Sequence, residues 1–184
     1  MTKDEEMIEK RVRSEMLYEG RIVNLYSDDI VYGNGKPAKR EVVTHPGGSC
    51  IVAINDQNEV YFVRQYRYVF EKFLLELPAG KRDNHEDPFL TAKRELAEET
   101  GMEAKTWVDL GSSLSSPGIF TERIFLYAAK DLTPVGQHLD DGEYLDVLTI
   151  PYDKAIEMVR NGELEDAKTQ LALLKYDAFI KSQI

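Results

Sequence analysis

The first half of the chain consists of short apolar runs of strand length, separated by residues that favour turns. Between Tyr18 and Val43 the runs are broken at Tyr32–Lys36, where an Asn-Gly pair is a strong hairpin signal. Further apolar runs predict strands at Cys50–Asn55, Val60–Arg64 and Leu74–Leu77. Ahead of them, Asp4–Met16 has a helical composition and predicts a helix. The first half is therefore expected to be rich in β-structure.

The second half mixes helical and strand patterns. Asp87-Pro88 predicts a helix start, with Asp as the N-cap and Pro at the first helical position, and the helix runs to about Thr100 before Gly101. Strands are predicted at Thr106–Leu110, Ile124–Ala129 and Leu145–Ile150, and helices at about Tyr152–Arg160 and Asp166–Lys181. Because the strands do not alternate strictly with helices, the pattern favours an α+β fold in layers.

Composition and charge argue against some classes of binding partner. The 184 residues are 42% hydrophobic and 30% charged, which is typical of a soluble globular protein, and the longest apolar runs are too short to cross a membrane. The formal charge of −10 argues against a nucleic-acid partner, since such proteins need an extensive basic face. With one cysteine, Cys50, and no apolar leader, a cytoplasmic location is expected.

Three glutamates of the helix predicted to begin at Asp87-Pro88 carry most of the chemical information. Glu95, Glu98 and Glu99 stand at positions i, i+3 and i+4, so their carboxylates project from one helix face. Carboxylates this close repel one another unless a cation lies between them, and oxygen ligands suit Mg²⁺ or Mn²⁺. Arg94 can pair with Glu98. A solvated acidic face would show the same spacing, so the flanking residues decide between the two interpretations.

Those flanking residues match a known signature. It is made up of Gly80, Glu86 after five residues and, after seven more, the run Arg94-Glu95-Leu96-Ala97-Glu98-Glu99-Thr100-Gly101-Met102. The stretch resembles the signature of the Nudix hydrolase family. The resemblance implies a Nudix fold, with a mixed β-sheet layered between helices. It also implies that Glu95, Glu98 and Glu99 bind divalent ions, with the backbone carbonyl of Ala79 as an additional ligand and Glu86 in a structural role.

Segments outside the signature resemble the ADP-ribose pyrophosphatase subfamily. They are Lys39–Gly47, Val63–Tyr68, Leu75–Gly80, the Ser116-Pro117-Gly118 loop and Gly162–Thr169. The resemblance covers nearly everything from Tyr18 onward. One departure is Ile119, which follows Gly118 where the subfamily more often has an aromatic residue.

The subfamily resemblance also implies which residues contact substrate. Arg40, Arg64 and Arg67 supply the local cations that an acidic phosphate-binding protein needs, although strand arginines can simply face water, Arg64 in particular. In the loop, Pro117 and Gly118 are expected to contact substrate, and Glu122 stands where a glutamate that binds substrate or metal is expected. Tyr32 or Tyr66 is a candidate for stacking on adenine.

The subfamily resemblance also implies that the acidic loop at Leu139–Glu143 supplies the catalytic base, although relatives often carry glutamates at both the 141 and 143 positions. Glu143 is favoured over Asp141, because aspartate is shorter, and Asp141 stays open as the alternative. With Glu98 as a further catalytic residue, the predicted reaction is Mg²⁺-dependent hydrolysis of ADP-ribose to AMP and ribose 5-phosphate. The alternatives are a pyrophosphatase of another sugar nucleotide, such as GDP-mannose or ADP-glucose, and a Nudix sensor that binds ADP-ribose without cleaving it.

The region before His45 has too little apolar periodicity for a core of its own. In the subfamily that it resembles, this region pairs with a second subunit. We therefore expect residues 1–44 to form a β-rich dimerisation region, residues 45–184 to form the Nudix domain, and the protein to be a homodimer.

Overall fold

The computed structural model describes residues 2–84 and 86–182, which form two compact units. The first unit contains the chain up to Pro46 together with Leu114–Glu122. The second contains Gly47–Ser113 and the chain from Arg123 onward. A segment distant in sequence thus belongs to the N-terminal unit.

The first unit is built on a three-stranded antiparallel sheet. Its strands are β1 (Glu9–Glu19), β2 (Asn24–Tyr32) and β3 (Pro37–Thr44), in the order β1-β2-β3. The predicted hairpin turn joins β2 to β3, and Gly35 within it has a φ of +83°. That backbone conformation is one that glycine adopts without steric strain, which explains the Asn-Gly pair.

The predicted helix at Asp4–Met16 is wrong for most of its length. A capping box between Thr2 and Glu5 starts a single short helix, α1 (Lys3–Met7), and β1 begins at Glu9. From there the chain pairs with β2 along its whole length. A continuous ladder of backbone hydrogen bonds outweighs the modest helix propensity of a polar segment.

The second unit contains two further sheets. One has the order β7 (Ala79–Lys81), β4 (Gly48–Ala53), β9 (Arg123–Pro134) and β8 (Met102–Leu114). It is mixed, because β4 is parallel to β9 and antiparallel to β7. The other is antiparallel, in the order β10 (Leu145–Pro151), β5 (Glu59–Arg67) and β6 (Lys72–Glu76), with a short 3₁₀ turn at Tyr68–Phe70. The sequence does not predict β7, since Pro78 and Gly80 interrupt its apolar pattern.

Three helices complete the second unit: α2 (Pro88–Thr100), α3 (Tyr152–Arg160) and α4 (Ala167–Lys181). The side chain of Asp87 caps α2 by accepting hydrogen bonds from the backbone N–H groups of Phe89 and Leu90. At the other end Gly101 has a φ of +69°. The start and end of α2 are therefore as predicted, and α3 and α4 also match their predicted ranges.

Strand β4 lies at the centre of the core, and all six of its residues are buried. Successive side chains of a strand point to opposite faces. Cys50 and Val52 accordingly belong to a cluster with residues of α3 and α4, whereas Ile51 and Ala53 pack in a second cluster with residues of α2. The mixed sheet is thus layered between helices, which confirms the predicted α+β fold.

None of the helices within the described residues is both long and apolar enough to cross a membrane.

Candidate active site

Helix α2 positions the three signature glutamates beside its apolar stripe, which packs against the mixed sheet. Ala92 and Leu96 are fully buried in the cluster against the mixed sheet. Glu95 and Glu99 are also largely buried, with 9% and 3% of their surfaces exposed, and Glu98 is half-buried. The helix therefore holds two carboxylates in a partly dry environment, where a charge is costly unless it is compensated.

Strand β7 packs closely against this acidic face. A Cβ atom added to Gly80 would lie 1.9 Å from the carboxyl carbon of Glu95, so a side chain at this position would displace that carboxylate. The neighbouring Ala79 donates its backbone N–H to Oε2 of Glu99 at 2.8 Å. The glycine of the signature thus allows the backbone of β7 and the Glu95 carboxylate to approach each other closely.

Arg94 is a cation in contact with several of these carboxylates. Its guanidinium lies 3.1 Å from Glu86, 2.8 Å from Glu95 and 2.7 Å from Glu98, and it donates a hydrogen bond to the carbonyl of Lys81 at 3.0 Å. The predicted pairing of Arg94 with Glu98 is confirmed. Glu86 also accepts a hydrogen bond from the Thr91 hydroxyl at 2.9 Å, so its contacts tie the preceding loop to the helix.

The electrostatics of the acidic face favour binding of a cation. Burial raises the pKa of Glu95 to about 7 and that of Glu99 to about 8, and repulsion from neighbouring carboxylates adds to both shifts. For Glu95 the opposing attraction of Arg94 does not cancel the effect of burial. A bound cation would stabilise the ionised forms of these carboxylates.

The donor set fits a hard divalent ion, because it consists of carboxylate oxygens. In the described part of the chain, however, no three acidic, histidine or cysteine side chains already converge on one point at metal-binding distance. Glu95 and Glu98 are held by Arg94, and Glu99 by the Ala79 amide. Metal binding at these residues would thus replace these ion pairs and this hydrogen bond with bonds from the carboxylates to the metal.

The predicted base lies close to this face. The charge of Glu143 raises the pKa of both Glu95 and Glu99, which places its carboxylate within electrostatic range of α2. The turn that carries it is closed by a hydrogen bond from the Glu143 amide to the Asp140 carbonyl at 3.0 Å, and Gly142 has a φ of +86°.

Two of the predicted substrate arginines lie on β5 of the second unit. Arg67 makes a bidentate ion pair with Glu76, at 2.6 and 2.7 Å. Arg64 stacks over the ring of Phe73, with its Cζ atom 3.9 Å from the ring centroid, and lies 3.3 Å from Asp146. Arg64 and Phe73 line a cleft of about 270 Å³.

The other predicted substrate residues belong to the first unit. Arg40 lines a cleft of about 380 Å³ together with Pro117 and Gly118 of the loop, so the structure brings these three together. Arg40 is also hydrogen-bonded to Glu9 and Tyr32. Glu122 lies apart from the lining of this cleft, at 3.4 Å from Nδ1 of His45.

Several neighbours of these residues have no predicted role. Glu76 pairs with Arg67 and with Lys168, and Glu9 lines the cleft beside Arg40. A lone carboxylate between the apolar residues Leu75 and Leu77 is a signal that could have indicated a buried ion pair. No comparable signal exists for Glu9, because its neighbours are polar and its partner is distant in sequence.

Comparisons with known proteins identify the family of this chain. The NUDIX domain family matches residues 44–172. Over 167 residues, or 90% of each chain, the sequence is 40% identical to a methanol dehydrogenase activator of Bacillus methanolicus. Over the same share of each chain it is 35% identical to an ADP-ribose pyrophosphatase of Bacillus subtilis strain 168. The fold matches the solved structure of an ADP compounds hydrolase with a TM-score of 0.85, at 24% identity over 95% of each chain. The chain therefore belongs to the NUDIX domain family.

Proposed function

We propose that this protein hydrolyses the pyrophosphate of ADP-ribose to AMP and ribose 5-phosphate, using Mg²⁺ or Mn²⁺. The observation that carries the proposal is the buried acidic face of α2, with the Glu143 carboxylate within electrostatic range of Glu95 and Glu99. An ADP-ribose pyrophosphatase among the relatives supports this choice of substrate.

We assign the metal ligands to Glu95, Glu98 and Glu99, with the Ala79 carbonyl as a further donor. Divalent ions bound there would neutralise the pyrophosphate and make an attacking water more acidic. Arg94, which now pairs with Glu95 and Glu98, would keep the helix carboxylates aligned while contacts are exchanged. Glu98 is thus both a ligand and the residue that Arg94 orients.

In the hydrolysis itself, Glu143 accepts a proton from the attacking water. The water oxygen forms a bond to one phosphorus, and the bond from that phosphorus to the bridging oxygen breaks. The bridging oxygen leaves on the second phosphate, so both products are phosphate monoesters. Asp141 is the alternative base if the loop rearranges when substrate binds.

Substrate contacts are assigned within each unit. Arg64 and Arg67 are the candidates in the second unit, and both carry guanidinium groups that can bind phosphate or stack on a planar group. Arg40, Pro117 and Gly118 are the candidates in the first unit, where they line one cleft. Glu122 is a candidate in the same unit, with its carboxylate beside His45.

Product analysis tests the assignment. Purified protein is incubated with ADP-ribose, ADP-glucose and GDP-mannose in separate reactions, with Mg²⁺ or with a chelator. We expect the highest kcat/KM with ADP-ribose, AMP and ribose 5-phosphate in equal amounts, negligible free phosphate, and no reaction in chelator. A higher kcat/KM for GDP-mannose would assign the protein to the rival substrate, and ADP-ribose binding without products would make it a sensor.

A second candidate function follows from the 40% identical relative, which is a methanol dehydrogenase activator. We propose that the hydrolase also increases the rate of a methanol dehydrogenase. The test adds wild-type protein or the Glu98→Gln variant to such a dehydrogenase. Stimulation by wild type alone would link activation to hydrolysis, whereas no stimulation by either protein would reject this candidate.

We also propose that residues 1–44 mediate a homodimer. Strand β1 is an edge strand, all eleven of its residues are exposed, and they include the apolar Val12, Met16 and Leu17. An exposed edge with apolar side chains is suited to pairing with another chain.

Light scattering at micromolar concentration tests the dimer. We expect the mass of two chains for wild type and a shift toward one chain for Val12→Glu combined with Met16→Glu. Replacing the charged Arg13 by Gln is the matched control. An active wild-type monomer would reject the dimer.

A cytoplasmic location and the absence of a nucleic-acid partner stay predictions of the sequence.

A further inference from the structure

Glu76, at the end of β6, is a buried carboxylate to which the proposed reaction assigns no role. Only 2% of its surface is exposed. One oxygen accepts a hydrogen bond from Nε of Arg67 at 2.6 Å, and the other accepts from Nη2 of Arg67 at 2.7 Å and from Nζ of Lys168. Lys168 in turn lies 3.0 Å from Asp166, the N-cap of α4. Two carboxylates and two cations thus form a linear network in the order Arg67, Glu76, Lys168 and Asp166.

The network forms hydrogen bonds with only one edge of the Arg67 guanidinium, the edge made by Nε and Nη2. A guanidinium has five N–H donors, and Glu76 uses one on Nε and one on Nη2. Within residues 2–84 and 86–182, no group accepts a hydrogen bond from Nη1 of Arg67. The Arg67 side chain is 40% exposed, whereas its carboxylate partner is almost completely buried. The Nη1 group is therefore left available to an external acceptor.

The network lies within electrostatic range of the acidic face of α2. The charge of Glu99 raises the pKa of Arg67, and the charge of Lys168 lowers the pKa of Glu99. A phosphate that contacted both Arg67 and metal ions held by α2 would therefore be attracted by two sources of positive charge. A guanidinium held in a fixed orientation loses less conformational entropy on binding phosphate than a free one does.

We propose that Glu76 is a positioning residue, which holds Arg67 by its Nε–Nη2 edge so that Nη1 binds a phosphate oxygen of the substrate, while Lys168 neutralises the remaining charge of Glu76. The proposal rests on the proposed function, since it takes the substrate to be a nucleoside diphosphate sugar. It differs from a merely structural role, in which Glu76 only joins β6 to α4. That junction has a further contact, because the Leu77 amide donates to the Thr169 hydroxyl at 2.8 Å.

A double-mutant cycle on KM tests the proposal. The variants are Glu76→Gln, Arg67→Met and the two combined, assayed with ADP-ribose at saturating Mg²⁺. We expect each single change to raise KM by about 10-fold or more, as for loss of a hydrogen bond to a charged group. The double variant should have the KM of Arg67→Met, because Glu76 acts through Arg67. The control is Glu165→Gln, whose exposed carboxylate pairs with Lys72 at 2.6 Å and whose KM should be unchanged.

Three results would overturn the proposal. An equal effect of Glu76→Gln with and without Arg67 would show that Glu76 does not act through the arginine, and an unchanged KM in Glu76→Gln would show that it does not act on binding at all. An unchanged KM in Arg67→Met would remove Arg67 from the substrate site while leaving wild-type cleavage of ADP-ribose intact, so the proposed function would survive.

A replacement variant and a replacement substrate allow the cycle to be completed if the first choice of either fails. If Glu76→Gln does not fold, as judged by circular dichroism, Glu76→Asp replaces it, since it keeps the charge but withdraws the carboxylate by one methylene. If wild type cleaves another sugar nucleotide instead, the proposed substrate is wrong and the same cycle is run with the substrate that is cleaved.

Discussion

Two buried acidic sites of the second unit differ in how their charge is balanced. Glu76 has Arg67 and Lys168 as partners, and although burial alone would raise its pKa, these cations lower the pKa to about 2. Glu99 is buried to a similar extent, but its hydrogen-bond partner is the neutral Ala79 amide, and its pKa rises to about 8.

The difference shows what burial does to a carboxylate. Where protein cations surround it, as at Glu76, the carboxylate stays ionised without an external cation. Where carboxylates outnumber cations, as on α2, the ionised state is unfavourable until an external cation arrives. We infer that the first kind of site positions other groups and that the second binds metal. The following predictions test this distinction, beginning with the largest effect.

Removing the charge of Glu143 should have the largest effect. Loss of a general base typically lowers the rate about 10²- to 10⁴-fold, so Glu143→Gln should reduce kcat on that scale with little change in KM. Asp141→Asn is the matched control and should cost less. Steady-state kinetics of both variants provide the measurement. Small and equal losses would remove the loop as the source of the base, and a larger loss at Asp141 would exchange the two roles.

Neutralising Glu98 or Glu99 should also lower activity strongly without unfolding the protein. Residues that only support a metal ligand cost about 10- to 100-fold when they are changed, so loss of a ligand should cost more than 100-fold. The variants are Glu98→Gln and Glu99→Gln, assayed at saturating Mg²⁺ with circular dichroism as the folding check. Glu157→Gln, on the exposed side of α3, is the control. Near-normal rates in either variant would mean that α2 is not the metal site.

The pH dependence of stability should have opposite signs at the two sites. The pKa of Glu99 is raised above its ordinary value of 4.5, so its stabilising contribution is complete below about pH 4.5 and is lost as the pH rises through about 8. The pKa of Glu76 is depressed, so its contribution is present above about 4.5 and is lost as the pH falls through about 2.

Melting temperatures of the chelator-treated protein between pH 3 and 9 measure both contributions. Glu99→Gln should flatten the decline above pH 5, and Glu76→Gln should weaken the dependence on the acidic side. A decline above pH 5 that is identical in wild type and Glu99→Gln would show that this carboxylate is not destabilised by its surroundings.

The smallest effect is expected at an exposed pair. Arg40 lowers the pKa of Glu9 by hydrogen bonding, but both side chains are about one-third exposed, where water and salt screen the interaction. Glu9→Gln should therefore leave the melting temperature unchanged within error, in contrast to Glu76→Gln. A loss of stability comparable to that of Glu76→Gln would show that burial does not determine how much an ion pair stabilises this protein.

The sequence by itself determined the elements whose signals are local. The ends of α2 follow from Asp87, Pro88 and Gly101, which act on their own backbone neighbours, and the spacing of the glutamates on the helix fixes their common face. The continuous apolar run of β4 and the Asn-Gly hairpin are local in the same sense. Signals of this kind were sufficient for the α+β fold and for the position of the acidic face.

Only the tertiary structure decided which distant residues meet. The strand β1 replaces a predicted helix because β2 is available to pair with it, and the role of Gly80 depends on how closely Glu95 approaches it. Glu76 and Lys168 are 92 positions apart, so no local pattern predicts that they share a buried ion pair. Burial and pairing set the pKa of each carboxylate, and both arise from packing between elements rather than from the order of residues along one of them.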